Sequence, residues 1–157
     1  IRAMLDQFET ETAGLNLTDG ANGLTAQQIV TMASLIERES SVESERSTIA
    51  SVIYNRLDEG MPLQIDAAIV YARGGGSGTV TYDDLEIDSP YNVYRNTGLT
   101  PGPICSPSVS SIQAALNPDD TNYLYYVLSS AGDGSHKFSE TYDEFQANVQ
   151  EYRDSQS

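Results

Sequence analysis

Two acids, Glu37 and Glu39, stand in the stretch Ala33-Ser34-Leu35-Ile36-Glu37-Arg38-Glu39-Ser40. Apolar side chains lead up to them at the spacing of one helical face: Ile29, Met32, Ala33 and Ile36, with Leu35 widening the stripe. At about 100° per residue, Glu39 falls one turn beyond Leu35 and Ile36, and Glu37 falls on the opposite flank. A carboxyl group at the edge of an apolar stripe is pushed toward its neutral form, because burial disfavours charge. A carboxylic acid still protonated near neutral pH can act as a general acid. Breaking a glycosidic bond needs such an acid, to protonate the leaving oxygen. Periodicity alone does not choose between the two, and helix acids beside an apolar face commonly serve as salt-bridge partners.

Other side chains suit a sugar. Tyr91 and Tyr94 offer flat faces for pyranose rings, and Gln64 and Asn92 offer donors and acceptors for hydroxyls. Asp66 is placed to orient a sugar or to steady an oxocarbenium-like transition state, or else to bond a loop backbone. Asn55, near a helix end, reads either as a cap or core hydrogen-bonder or as a site residue. Arg46 and Arg56 are expected to pair with acids inside the fold, and Cys105 to fill a small apolar space.

The elements that must position these residues follow from local signals. Met4–Thr12 reads as a helix and residues 16–23 as a loop. Thr25 caps the acid-bearing helix, with Gln28 as capping-box partner. A second helix is expected over Ser44–Asp58, with Ile49, Val52, Ile53 and Leu57 inward and Gly60 as its stop. Met61–Asp66 turns into an extended piece, Ala67–Arg73 reads as a short helix and Gly74–Gly78 as a flexible linker. Residues 88–107 carry Pro90, Pro101, Pro103 and Pro107, which rule out regular helix or an inner strand. A rigid irregular loop of this kind often lines a site. Ser108–Leu116 reads as a helix and Tyr123–Leu128 as a buried strand. Gly132–Gly134 is a hairpin loop returning through His136–Phe138. Tyr142–Tyr152 reads as a helix with Phe145, Val149 and Tyr152 inward.

At 157 residues the chain is long enough for one domain with a real core. Its 23 acids against 8 bases give a formal net charge of −15, a poor match to nucleic acid or anionic lipid. The lone Cys105 excludes an internal disulfide and a Cys-based zinc cluster. With a single histidine as well, no metal or other cofactor is expected. No apolar run has the length of a membrane span. The abrupt start at Ile1, inside helix-like sequence, reads as that of an excised domain.

Taken in order, the blocks ASLIERES (33–40), Glu45-Arg46, IASVIYNRL (49–57), GMPLQID (60–66), SPYNVY (89–94), GLTPGPI (98–104), Tyr123-Leu124-Tyr125-Tyr126-Val127 and His136-Lys137-Phe138 resemble the catalytic domain of the endolytic murein transglycosylases, the MltG or YceG-like family. The order and spacing of the blocks carry the resemblance, over roughly three quarters of the chain. It implies a single α+β domain spanning 1–157, residues 1–23 being part of an N-terminal connection. A lysozyme-like helix would carry the catalytic Glu beside a small antiparallel sheet. The family's acid precedes a Ser or Thr, so the role passes to Glu39, with Ser40 helping to fix the site. Substrate contacts would come from Ser40, Asn55, Gln64, Asp66, Tyr91, Asn92, Tyr94 and His136, the only histidine. The implied reaction cleaves MurNAc–GlcNAc bonds within peptidoglycan glycan strands and leaves a 1,6-anhydro-MurNAc end, without a cofactor. The implied setting is the extracytoplasmic face of a bacterial membrane, with an N-terminal membrane helix on the full-length protein and the cell-wall synthesis machinery as a partner. Five positions depart from the family's pattern: Ala67-Ala68 in place of Pro-Thr, Val93 in place of Thr, Thr100 in place of Pro and Ser135 in place of Gly. A muramidase-type hydrolase, with Asp66 as second carboxylate, and a non-catalytic glycan-binding module are the competing readings.

Overall fold

Thr25 caps the acid-bearing helix, as the sequence leads one to expect. Its hydroxyl accepts the Gln28 N–H, and the Gln28 side chain accepts the Thr25 N–H, closing a capping box. The computed structural model describes residues 20–157. The helix expected over Met4–Thr12 and most of the 1–23 connection lie outside the described residues. From Thr25 runs helix α1, Ala26–Glu39, followed by a 3-10 turn at Glu43–Glu45 and helix α2, Arg46–Asp58. Helix α3 spans Asp66–Ala72, a second 3-10 turn Asp84–Glu86, and helix α4 Val109–Leu116. Strands β1 (Tyr125–Leu128) and β2 (His136–Ser139) and helix α5 (Tyr142–Gln156) complete a single α+β domain.

Helix α1 is the axis of the domain. Ile29, Met32, Ala33, Leu35 and Ile36 are all fully buried, because α2, α3 and α4 each pack against it. Its two buried polar residues are satisfied locally: the Thr31 hydroxyl donates to the Gln27 carbonyl and Ser34 to the Thr31 carbonyl. Ser34 Oγ also accepts the Ile104 N–H, which fastens the proline-rich loop along the helix. Ile49, Ala50 and Ile53 of α2, Leu63, Ile65, Ala68, Val93 and Ile112 close the core around it.

Helix α2 is shorter than the expected Ser44–Asp58, because Glu45 N–H bonds the Val42 carbonyl and tightens the entry into a 3-10 turn. It ends as Gly60 predicts. Gly60 takes φ +68°, its N–H bonds the Leu57 carbonyl, and Met61 N–H reaches back to Arg56. Residues 74–79 are not the bare linker expected of a glycine run. Arg73 sits inside the loop and donates to the carbonyls of Gly75, Ser77, Gly78 and Thr79 and to Asp84.

The sheet is one antiparallel hairpin, with Tyr126 opposite Phe138 and Leu128 opposite His136. It is half-buried rather than buried, since each strand has one neighbour and Leu128 faces out. Helix α5 covers its other side, with Phe145, Val149 and Tyr152 only partly enclosed. Among the described residues no helix is long and apolar enough to cross a membrane.

Candidate active site

Helix α1 stops at Glu39 because Ser40 leaves helical geometry, at φ −107° and ψ 119°. The Ser40 N–H still bonds the Ile36 carbonyl, and its hydroxyl donates to the Val42 carbonyl at 2.7 Å. Ser40 therefore turns the chain, and Glu39 is left on the last helical turn with its carboxyl directed into a cleft of about 170 Å³. Val52, Ile53, Arg56, Leu63, Gln64, Ile65, Tyr94, Tyr126 and Phe145 line that cleft with it. Burial among these side chains pushes the Glu39 pKa up to about 7. A hydrogen bond from the Tyr126 hydroxyl to Oε1, 3.0 Å long, pulls the other way, and the charge of Asp66 adds to the rise. The acid is thus held near the midpoint of its titration at neutral pH, the condition for giving and taking the same proton.

Glu37 has a different fate two positions earlier in the helix. Its Oε2 pairs with Arg46 Nη2 at 3.0 Å, and its Oε1 accepts the N–H of Ser108 at 2.6 Å. Ser108 is the N-cap of α4, so Glu37 ties the start of that helix to the end of α1. The partner is Arg46, not the adjacent Arg38.

Gln64 reaches the cleft by an uncommon backbone route. Its φ is +54°, a left-handed value for a residue with a side chain, fixed by its N–H on the Val93 carbonyl and by buried Leu63 and Ile65 on either side. Its side-chain amide is exposed at the cleft. Tyr94 faces it and donates its hydroxyl to Asp66 Oδ1 at 2.5 Å. Burial and the neighbouring Asp66 carboxylate push the Tyr94 phenol up, so Tyr94 remains a neutral donor.

The YceG-like family matches residues 1–151. This chain belongs to it. The YceG-like domain is 48% identical over 133 residues to an endolytic murein transglycosylase of Bacillus subtilis, covering 85% of this chain and 37% of that protein. A protein of the same description from Streptococcus pneumoniae strain D39 is 37% identical over 157 residues, covering 97% of this chain and 28% of its own length. The chain therefore spans well under half of either relative. A crystal structure described as a putative YceG-like protein from Listeria monocytogenes superposes with a TM-score of 0.76 at 38% identity, over 92% of this chain and 45% of that one.

Within the YceG-like domain, the residues picked from sequence separate into two groups. Glu39, Gln64 and Tyr94 line one cleft, and Asp66 adjoins it through Tyr94. The rest stand away from it. Asn92 is fully buried: its amide donates to the carbonyls of Leu85 and Ile87, and its Oδ1 accepts the Tyr94 N–H. It shapes the loop that presents Tyr94 and cannot touch a ligand. Tyr91 packs against Tyr71 with the rings tilted by 43° and their centroids 4.8 Å apart, outside the cleft wall. Asn55 donates to the carbonyls of Thr121 and Tyr123, securing the segment before β1. His136 stands behind Tyr126, its Nδ1 2.9 Å from Glu45. Sequence reasoning missed three charged or aromatic cleft residues, Arg56, Tyr126 and Phe145. Among the described residues Arg56 pairs with no acid; it donates to the carbonyls of Leu124, Pro62 and Leu63 and lies over the Tyr125 ring at 5.2 Å. The available signal was a long cation inside an apolar helix face with two tyrosines on the facing strand. Cys105 is half-buried, with its thiol on the Ser34 carbonyl.

The backbone of Gln64 yields a test. Glycine adopts φ +54° without the penalty of a side chain, roughly 1–2 kcal/mol, against about 0.4–1 kcal/mol of extra chain entropy. Gln64→Gly is expected to keep or slightly raise stability in urea unfolding, while glycan turnover falls about tenfold. A variant that loses stability and keeps turnover would assign Gln64 to the scaffold instead.

Proposed function

We propose that this domain is a lytic transglycosylase that cuts MurNAc–GlcNAc bonds within peptidoglycan strands, with Glu39 as the single acid and base. The observation that carries the proposal is a carboxyl group at the end of a buried helix, in a sugar-sized cleft, with its pKa raised to about 7. The curated relatives described as endolytic murein transglycosylases support it. Protonated Glu39 gives its proton to the glycosidic oxygen as the bond to the anomeric carbon breaks. The resulting carboxylate then takes the proton of the sugar's own 6-hydroxyl, whose oxygen closes on the anomeric carbon. The products are a 1,6-anhydro end and a free 4-hydroxyl, and no water enters. Tyr94 and Asp66, on the rim, and Gln64, across the cleft, are the groups placed to hold the sugar beside Glu39. The place of action proposed is the cell wall outside the cytoplasmic membrane, with peptidoglycan strands, and through them the machinery that makes them, as partners.

Mass spectrometry of products from purified peptidoglycan tests the reaction. Anhydro ends are expected; reducing ends would instead support a muramidase with Asp66 as second carboxylate. Absence of any cleavage by the folded full-length protein would leave a glycan-binding module. The rate should also fall as pH rises, because the acid must start protonated. Above about pH 7, kcat/KM is expected to drop close to tenfold per pH unit.

A further inference from the structure

Helix α1 delivers Glu39 to the cleft but does not decide how its carboxyl is turned. We propose that Tyr126 is a positioning residue for that carboxyl: it pins Oε1 and leaves Oε2 for the substrate, and is itself braced from behind by His136 and Glu45. The inference rests on Glu39 being the acid.

Three observations carry it. The Tyr126 hydroxyl donates to Glu39 Oε1 at 3.0 Å, and Oε2 has no hydrogen-bond partner among the described residues. The Tyr126 ring is clamped by two neighbours from β2: the His136 ring meets it edge-on at 5.2 Å and 87°, and Phe138 lies at 5.9 Å. His136 in turn is gripped by one carboxylate at two points. Its backbone N–H donates to Glu45 Oε1 at 2.8 Å, and its Nδ1 lies 2.9 Å from Oε2. Glu45 closes the turn that follows Glu39 by six residues. The chain thus holds the hairpin twice, by Glu39 on Tyr126 and by Glu45 on His136, and the two grips meet at one ring.

The chemistry of the site gives this arrangement a purpose. A donor fixed on one carboxylate oxygen stabilises the charged form that appears after the first proton transfer. Tyr126 can do so without entering the reaction, since burial and the adjacent Glu39 hold its own proton firmly. The other groups around Glu39 are Arg56 from α2, Asp66 from α3, and Tyr94 and Gln64 from the loops. Arg56 is committed to backbone carbonyls and Asp66 to Tyr94, so neither replaces the phenol.

The test reads Glu39 directly and needs no glycan. Carboxyl-carbon NMR of glutamate-labelled protein, with Glu39 assigned through Glu39→Gln, follows its titration in wild type and Tyr126→Phe. Removing the donor leaves burial unopposed, so the midpoint is expected to rise by about one pH unit. His136→Phe, which keeps an aromatic brace and frees it from Glu45, should give a smaller rise. If peptidoglycan is cleaved, Tyr126→Phe should lower kcat at least tenfold with little change in KM, and the fall of activity with pH should move up with the midpoint. Should Tyr126→Phe fail to fold, 3,5-difluorotyrosine at position 126 keeps the shape and sharpens the donor, so the midpoint should move down. A Glu39 midpoint unmoved by either substitution in folded protein would overturn the proposal. A moved midpoint in a protein that cleaves no glycan would sink only the reaction, not the positioning.

Discussion

Glu39→Gln is expected to lower glycan cleavage by at least 100-fold and up to about 10,000-fold, the range of general acid–base catalysis. The amide keeps the shape of the side chain and can still accept the Tyr126 hydroxyl, so the loss would be that of the transferable proton. The same substitution should strengthen the fold, in a way that depends on pH. The folded carboxyl titrates near 7 and the unfolded one near 4.5. Below pH 4.5 both are neutral and the substitution changes little. As pH rises from 4.5 to 7 the unfolded chain ionises and gains free energy that the native state, still protonated at Glu39, forgoes. Above 7 that penalty is complete, on the order of 3 kcal/mol, and glutamine removes it. Urea unfolding of both proteins at pH 4.5 and pH 8 should therefore differ little at the first and clearly at the second. Glu37→Gln is the control, with the opposite pattern. It loses the ion pair to Arg46 and weakens the cap on Ser108, so about 1–2 kcal/mol of stability should go while turnover stays within a few-fold. A folded, active Glu39→Gln beside a folded, inactive Glu37→Gln would reverse the assignment of the acid.

Asn92→Ala should be among the most damaging single changes outside the catalytic group, and its damage should be to the fold. Two part-buried carbonyls, of Leu85 and Ile87, lose their donor, and the Tyr94 N–H loses its acceptor. At roughly 1 kcal/mol for each of the three bonds lost, the low end of the range because water can reach part of the loop, a loss of about 3 kcal/mol is expected. In a domain of this size that lowers Tm by roughly 10 °C. Thermal unfolding followed by circular dichroism reads it. A variant with unchanged Tm and a raised KM would mean that Asn92 faces the sugar after all.

The difference between Asn92 and Tyr94 shows where sequence reading stops. Both stand in one irregular, proline-flanked segment, and both are polar residues of the type that binds sugars. Only the path of the backbone decides that one side chain folds back onto its own loop while the other reaches the rim. Helices were legible because their signals are local: the Thr25 capping box, the Ile29–Ile36 stripe and the glycine at 60 each act within a turn or two. The hairpin was legible from its loop and its aromatic alternation. Glu39 was singled out by its place on the stripe and by the family's Glu-Ser pair. Tyr126, Arg56 and Phe145 were not, because their nearness to Glu39 depends on long-range packing that no spacing encodes. His136 shows the same limit: a lone histidine in a family block still lies one layer behind the residue that touches the acid.

The bond from Glu37 to the start of α4 sets a rule for how this domain can vary in length. Glu37 and Glu39 are two residues apart, about 200° around the helix. One inserted or deleted residue early in α1 would turn its last stretch by about 100°, bringing neither acid to its partner, and a two-residue change would bring each toward the other's place. The reach between Thr25 and Arg46 is therefore rigid in residue count as well as in residue type. The loop wound around Arg73 has no such reference to keep, since its carbonyls converge on a cation that does not line the cleft. Natural insertions and engineered tags should settle there, on the stretch from Gly74 to Tyr82, and be excluded from the helix that keeps the two glutamates apart.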